Sequence, residues 1–381
     1  MASPQTLQEQ TRDQACQTVL FVALELSDKK WKLALSDGNK RRLVTIAAGD
    51  LVTLGEAVAK ATTRFGLPGG VPIVSCYEAG RDGFWLHRSV VHCGVANVVV
   101  DASSIAVNRR ARRAKTDRGD VEQLLRLLSR YHHGEKRVWS VVHVPSAEEE
   151  DARRLHRELE RLKKERTGHR NRIQALLVSQ GIRIQPRHDL LERLAAARLW
   201  DGSALPPDLQ AEVRREEARL RVVDEQSRAL EGEQVRRLEE AVPPWHQHIA
   251  PLMHLRGLGL TSAWVCVMEY VGWRQCHNRQ EVAALAGLPP MPYASGDRAR
   301  DQGMSKAGTR RIRTWMIQIA WGWVRYQPHS ALSVWFNTRF ALGGKRRRRI
   351  GIVAWARRLL LALWRYLQSG AIAESARRKP L

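Results

Sequence analysis

The sequence predicts an α/β domain at the N-terminus, a long helical middle and a mainly α C-terminal domain. Three observations carry this. Before residue 145, short apolar runs of strand length alternate with segments of helical period, the pattern of an α/β sheet. From 146 to 245, apolar residues recur at helical spacing among dense opposite charges, with few aromatics. From 246 to 381 most segments are again helix-periodic, and Gly257 and Gly259 form a Gly-x-Gly turn between two of them, a helix-hairpin-helix-like element. The expected domains are therefore 1–145, 146–245 and 246–381.

Residues 19–26 form the first apolar run, interrupted only by Glu25. Runs at 31–35 and 41–46 follow, separated by Ser36-Asp37-Gly38-Asn39, a strong turn signal, so the three read as an antiparallel meander. Residues 49–65 have helical spacing through Leu51, Leu54, Val58, Ala61 and Phe65, and stop at Leu67-Pro68-Gly69-Gly70. A strand at 72–77 ends in Glu78-Ala79-Gly80, a helix runs through Phe84, Trp85 and Val91, and another strand covers 96–100. Asp101 then leads into a basic segment with Arg109, Arg110, Arg112, Arg113 and Lys115. Lys115-Thr116-Asp117-Arg118-Gly119-Asp120 opens a helix whose buried side is Leu124, Leu125, Leu127 and Leu128.

This succession of three strands, helix, strand, helix, strand and helix resembles the RNase H-like fold. In such a sheet Glu25 and Glu78 lie at strand ends near the centre, and the helix opening with Asp117 and Asp120 approaches both. Taken alone, Asp117 and Asp120 read as helix capping, with Asp117 as N-cap and Asp120 favoured by the helix dipole. Glu25 alone is expensive inside an apolar strand unless a cation or metal pairs with it, and an edge position or an Arg partner accounts for it as well. Glu78 alone reads as a solvated strand-end residue. Together the four are hard oxygen ligands that suit Mg²⁺ or Mn²⁺, ions that flank a phosphodiester and stabilise in-line displacement.

In the middle region Ser146 starts a helix with Glu148, Glu149, Glu150 and Asp151 in its first turn. The apolar seam continues through Leu155, Leu159, Leu162, Ile173 and Leu177, breaks at 181–189, and resumes at Leu190. Residues 203–207 interrupt again before a second long charged helix over 208–241. Two such helices suggest an antiparallel hairpin or an intermolecular coiled coil, an arm for self-association without chemistry of its own. A solvated spacer has the same signature.

Towards the C-terminus, the Gly257/Gly259 turn would let backbone amides approach a phosphate. Next come Gly287-Leu288-Pro289-Pro290, Tyr293-Ala294-Ser295-Gly296-Asp297-Arg298 and Gly303-Met304-Ser305-Lys306-Ala307-Gly308, with Arg310, Arg311 and Arg313 opening a helix. Ser295 sits in a loop-like segment after Pro289, Pro290 and Pro292, near Arg298 and Arg300. A turn serine bonding its own backbone is the alternative to a reactive hydroxyl. Ser305 and Lys306 read as a cap or a phosphate contact. Lys345, Arg346 and Arg347 begin a run of five basic residues, either a solvated loop or a contact to a phosphate backbone. Helical spacing makes most of the late tryptophans core.

Charge narrows the function classes. The 381 residues carry 63 Lys and Arg against 39 Asp and Glu, a formal net charge of +24. Such a surplus suits a nucleic-acid binder, whose affinity is dominated by phosphate contacts. The most apolar stretch, 352–367, is broken by Arg357, Arg358 and Arg365, so a membrane-spanning segment is not expected. The first fifteen residues are polar, unlike a signal peptide. Five scattered cysteines without a CxxC pair argue against structural zinc and a disulfide framework, and a cytoplasmic protein is expected.

The Lys115-Thr-Asp-Arg-Gly-Asp segment, the Gly287-Leu-Pro block with Ser295-Gly296, and Ser305-Lys306-Ala307-Gly308 together resemble a known family. It is the DEDD transposases of bacterial insertion elements, related to the pilin-gene invertases and also called bridge-RNA-guided recombinases. The resemblance runs from residue 19 to about 370. It implies that the acidic tetrad falls on Glu25, Glu78, Asp117 and Asp120, holding Mg²⁺ or Mn²⁺, and that the nucleophile is Ser295. The family usually has Asp at the first position; Glu25 is one methylene longer. The resemblance further implies donor and target DNA and a structured guide RNA as partners, and a composite site built by two subunits. It also implies a homo-oligomer, a dimer or in the active complex a tetramer, associated with the nucleoid. A metal-dependent DNA nuclease or junction resolvase without a covalent intermediate is the competing reading, and the Ser295 motif separates the two. A non-catalytic nucleic-acid binder is a third, against which the intact set of four carboxylates argues.

Overall fold

The computed structural model describes residues 18–105, 117–240, 246–272, 274, 276–295, 298–371, 376 and 377. The chain divides into two units, Met1–Pro145 and Ser146–Leu381.

In the first unit the strands are β1 (Leu20–Glu25), β2 (Lys30–Ser36), β3 (Arg41–Ala47), β4 (Ile73–Glu78) and β5 (Ala96–Val100). The helices are α1 (Leu51–Phe65), α2 (Trp85–His92) and α3 (Asp117–His132). The sheet order is β3-β2-β1-β4-β5, antiparallel through the first three and parallel from β1 to β4 to β5. The turn signal between β2 and β3 works as its residue types dictate. Ser36 Oγ donates to the Lys40 carbonyl at 2.7 Å, the Asp37 carboxylate accepts from Asn39 N at 2.8 Å, and Gly38 supplies φ +98°.

β1 reads as a continuous apolar run because both of its faces are covered. Leu20, Val22 and Leu24 pack in one cluster with Leu54, Ala57, Ala61 and Phe65 of α1. Phe21 and Ala23 pack in another with Val121, Leu124 and Leu128 of α3. Asp50 caps α1 through Thr53 N at 2.9 Å, and Gly66 ends it in the left-handed conformation at φ 72°.

The second unit is mainly helical. It contains α4 (Ala147–Asp151), α5 (Arg154–Val178), α6 (Leu190–Ala196), α7 (Pro207–Glu239), α8 (His246–Met253), α9 (Leu260–Cys266) and α10 (Arg279–Leu285). A two-stranded ribbon, β6 (Pro290–Ser295) and β7 (Arg298–Met304), precedes α11 (Arg310–Tyr326), α12 (Ala331–Phe336) and α13 (Gly344–Ser369). Ser146 opens the unit with a full capping box, accepting from Glu149 N at 3.1 Å while the Glu149 carboxylate accepts from Ser146 N at 2.8 Å.

The long helices α5 and α7 pair with each other inside one chain. Their cross-links are Lys163–Glu231 at 2.8 Å, Arg166–Asp224 at 3.6 Å, His169–Glu216 at 2.7 Å and Arg172–Glu212 at 2.6 Å. One number rises as the other falls, so the pair is antiparallel. At its far end Ile173, Leu177, Ile182, Leu190, Leu194, Leu205, Val213 and Leu220 form a small core, a head on the arm. The remaining helices enclose the largest core, in which Trp264, Trp323, Trp355 and Phe336 are buried; of the other late tryptophans Trp335 and Trp364 pack partly against it, and Trp321 is exposed.

Two segments differ from a loop reading. The loop-like segment expected at 293–297 begins instead as the end of strand β6, 290–295; prolines argue against a strand, yet a two-stranded ribbon leaves outward edges where a missing N–H costs nothing. Lys345 to Arg349, for which a solvated loop was one of two readings, belong to the first turns of α13, all exposed. Among the described residues no helix is long and apolar enough to cross a membrane.

Candidate functional site

Glu25 ends β1 and Glu78 ends β4, and these strands are parallel neighbours in register Leu24↔Tyr77. Their carboxylates thus come from adjacent strand ends on one edge of the sheet. Alternation puts Glu25 on the face of Phe21 and Ala23, and Glu78 on the face of Cys76. Both belong to the face covered by α3. That helix runs back along the strands. The ring of His132, near its end, lies 5.4 Å from the ring of Phe21, near the start of β1. Midway, the Leu124 carbonyl stands 4.0 Å from Cys76 Sγ.

The first turn of α3, with Asp117 and Asp120, therefore lies towards the strand ends that carry Glu25 and Glu78. From Leu124 back to Asp120 the helix rises about 6 Å. From Cys76 on to Glu78 the strand advances about 6.6 Å. Helix and strand thus advance towards the same end of the sheet, but the described carboxylates Glu25, Glu78 and Asp120 do not close into one group, and the Asp117 side chain lies outside the described residues.

A cavity of about 280 Å³ opens at this edge, lined by Glu25 and Glu78 and also by Asp28 and Asp82. The last two were not anticipated from sequence; their signal is that each follows the end of a neighbouring strand. Asp28 is paired with Arg81 at 2.9 Å. Burial first, and then the Glu78 charge, pushes the Cys76 thiol up, so Cys76 is an inert neighbour and not a nucleophile. Among the described residues no three His, Cys, Asp or Glu side chains close into a metal-binding group.

Ser295 ends β6 and pairs in register with Arg298, the first residue of β7, while Tyr293 pairs with Arg300. Gly296 and Asp297, which join them, lie outside the described residues. Ser295 thus stands at the tip of the ribbon, and Pro290↔Met304 marks its base. The base is built from the two glycine motifs that bracket the ribbon. Ser305 N donates to the Pro289 carbonyl at 2.9 Å, Lys306 N to the Gly287 carbonyl at 3.1 Å, and Thr309 N to the Leu285 carbonyl at 2.6 Å. A Cβ on Gly308 would lie 2.3 Å from Gly287 N, and one on Gly287 would lie 2.7 Å from Gly308 N. Between them Lys306 is held at φ 57°, the single non-glycine with positive φ among the described residues. The Gly287-Leu-Pro and Ser305-Lys-Ala-Gly segments are therefore one backbone junction.

The basic residues expected to contact nucleic acid have several fates. Lys306 and Arg310 are exposed at this junction and at the start of α11. Lys345, Arg346 and Arg347 project from the N-terminal turns of α13, where the helix dipole disfavours cations. Arg311 turns inward to Glu160 at 2.7 Å and Glu269 at 3.1 Å. Gly257, at φ +90°, faces α11, since its Cβ would meet Trp323 Cα at 3.4 Å; Gly259 opens α9 with open space beside it. Arg109, Arg110, Arg112, Arg113 and Lys115 lie outside the described residues.

A buried network that the sequence did not disclose supports this unit. Glu269 sits in the π-helical turn Val267–Val271 that follows α9, with its side chain 3% exposed. It accepts from His156 Nε2 at 2.9 Å, from Arg157 Nε at 2.7 Å and Nη2 at 2.9 Å, and from Arg311 at 3.1 Å. Burial pushes its carboxyl up, but the His156 and Arg157 hydrogen bonds outweigh this and hold it well below the usual carboxylate range. Burial lowers His156 more than Glu269 raises it, so the imidazole is neutral, with Nε2–H donating and Nδ1 without a partner.

Residues 250–334 match the model of a family described as the Transposase IS116/IS110/IS902 family. Over 375 residues the chain is 43% identical to the protein named "Putative transposase y4rJ" of Sinorhizobium fredii (strain NBRC 101917 / NGR234), covering 94% of each. Over 315 residues it is 27% identical to "Putative transposase y4qE" of the same organism, covering 81% of this chain and 72% of that protein.

Proposed function

The chain belongs to the IS116/IS110/IS902 family of transposases, and on that premise we propose that it cuts and rejoins insertion-element DNA through Ser295, under the guidance of a structured RNA. The observation that carries Ser295 is its position at the tip of a ribbon whose base is locked by Gly287 and Gly308. A hydroxyl at a tip can reach a DNA backbone that a hydroxyl in a cleft could not.

In this scheme Ser295 Oγ attacks a backbone phosphorus. The bond from phosphorus to one sugar oxygen breaks, that oxygen takes up a proton, and a phosphoserine ester holds the other end. A sugar hydroxyl of the new partner strand then attacks the same phosphorus and returns serine. Arg298 and Arg300, paired in register with Ser295 and Tyr293, balance phosphate charge. Lys306, Arg310 and the basic turns of α13 hold the backbone on either side.

Glu25, Glu78, Asp117 and Asp120 would hold Mg²⁺ or Mn²⁺. The fit rests on donor chemistry: two carboxylates at adjacent parallel strand ends, on the sheet face covered by the helix whose first turn carries two more. A bound divalent cation would supply charge neutralisation at the phosphodiester. The strand order β3-β2-β1-β4-β5 supports an RNase H-like assignment of the first unit. The paired α5 and α7 support a coiled-coil arm between residues 146 and 245, with 246–381 as the domain bearing the serine. A dimer, or a tetramer in the active complex, would let the carboxylates and serine of different subunits serve one DNA. A nuclease that uses only the carboxylates is the second reading, favoured by the acid-lined cavity at Glu25 and Glu78.

The test is recombination between donor and target plasmids with RNA transcribed from the element's own flanks, against unrelated RNA of equal length. Joined products with the first RNA alone are expected. Equal joining with both would remove RNA guidance, and nicked DNA without joining would favour the nuclease.

A further inference from the structure

We propose that the head of the helical arm carries a phosphate site of its own, which takes the sugar-phosphate backbone of a nucleic acid. The arm was expected to serve self-association alone. Where the loop between α5 and α6 folds back over the long helices, a cavity of about 380 Å³ opens. That is near the lower end of the roughly 300–1,000 Å³ of small-ligand sites. Its floor is apolar, made by buried Leu220 and Pro186, and its rim carries Arg170, Arg187, Arg221 and Arg228.

The fold explains why these four converge. Arg221 and Arg228 are seven residues apart on α7 and so share one helix face. The cross-links Arg166–Asp224 and His169–Glu216 set the register that brings Arg170 of α5 alongside that face. Pro186 and Leu220, buried in the floor, set Arg187 of the loop at the rim.

The charges at the cavity do not cancel. Two carboxylates also line it, but Glu217 accepts from Arg221, and Asp224 is paired with Arg166 at 3.6 Å. Arg170 and Arg187 have no ion-pair partner among the described residues. This contrasts with Lys163, Arg166 and Arg172 on the same helix, each paired across the hairpin. Unpaired guanidinium groups held together around a hollow repel one another, and an anion that accepts hydrogen bonds from their forked N–H groups relieves the repulsion. Phosphate oxygens match that fork. A chain of net charge +24 in a transposase family meets phosphate most abundantly as nucleic-acid backbone, so the site rests on the nucleic-acid function proposed above. The backbone can belong to DNA or to RNA.

The experiment uses the full chain and two labelled probes of unrelated sequence, a DNA duplex and an RNA hairpin, titrated over a series of KCl concentrations. Arg170→Ala/Arg187→Ala is compared with Arg214→Ala/Arg215→Ala, which removes the same charge from exposed positions of the arm outside the cavity. Both variants should melt as the wild type does, since they remove exposed side chains. The cavity variant should lose about tenfold in affinity for one probe, with the log–log salt slope shallower by about two, and the control should lose less than about threefold. The probe that responds identifies DNA or RNA as the source. Arg170→Lys/Arg187→Lys should recover part of the loss, because charge returns without the fork. Equal losses in the two alanine variants, or unchanged binding by the cavity variant, would overturn the arm site and leave the transposase assignment standing. A wild-type chain that binds neither probe would overturn both.

Discussion

Gly308 lies so close to Gly287 that a Cβ on it would stand 2.3 Å from the Gly287 nitrogen. This contact closes the base of the β6–β7 ribbon, and the three atoms in the clash, Gly287 N and the Ala284 and Leu285 carbonyl oxygens, are all backbone, which cannot swing aside. Gly308→Ala should therefore force the two strand bases apart, costing at least about 1–3 kcal/mol, the usual penalty for overpacking. The measurement is thermal unfolding together with DNA joining. Joining should be lost, while any stabilisation of the chain by Mg²⁺ survives, because the carboxylates belong to the first unit. A Gly308→Ala chain that joins DNA normally would show that the junction does not position the ribbon.

The carboxylate edge makes a separate prediction. If Glu25, Glu78, Asp117 and Asp120 hold a divalent cation, Mg²⁺ or Mn²⁺ should raise the melting temperature, by mass action worth about 2.7 kcal/mol at a hundred times Kd. Adding EDTA should reverse the shift. Glu78→Gln and Asp120→Asn should each abolish most of it, and Asp28→Asn, whose carboxylate is paired with Arg81, should reduce it less. A shift of equal size in Glu78→Gln would move the ion elsewhere.

Acid should weaken the second unit through the Glu269 network. His156 has a lowered pKa in the fold, so the unfolded chain binds its proton first, and stability falls as pH drops below the ordinary imidazole value of 6.5. Glu269 has a lowered pKa as well, so its contribution is complete above the ordinary value of 4.5 and is lost as pH falls further. Both slopes have the same sign. Removing the carboxylate leaves the buried His156 Nε2–H without an acceptor and half-exposed Arg157 without Glu269, while Arg311 keeps Glu160, and Glu269→Ala should cost about 1–3 kcal/mol. Denaturant melts at several pH values would check this, and an acid-insensitive wild type would contradict it.

Lys345, Arg346 and Arg347 oppose the dipole of α13, so their removal should have opposite effects on binding and stability. The triple alanine variant should bind DNA with a salt slope shallower by up to about three. The free protein should become more stable by a few tenths to about 1 kcal/mol for each cation removed. Weaker binding with lower stability would mean that these residues support the fold instead.

Much of the first unit was legible because its chemistry is local. The β2–β3 turn residues, the doubly buried β1 and the leucines of α3 declare strand, turn and helix within a few positions. Glu25 and Glu78 were legible as anomalies, polar groups at the ends of apolar runs. The ribbon was hidden because Pro290 and Pro292 mask a strand whose pairing depends on β7. Glu269 was hidden in an apolar stretch, since its partner His156 is 113 positions away and only tertiary packing joins them. The arginine cavity was hidden for a similar reason. In sequence Arg170, Arg187 and Arg221 are three charges among many, and the fold alone decides which lack partners.

The most direct test of the central claim is a search for a covalent protein–DNA adduct after protein, RNA, DNA and Mg²⁺ are incubated and denatured. The wild type should form it, Ser305→Ala should retain it, and Ser295→Ala should lose both adduct and joining while still binding RNA. An adduct that persists in Ser295→Ala would contradict the assignment of Ser295 as the nucleophile.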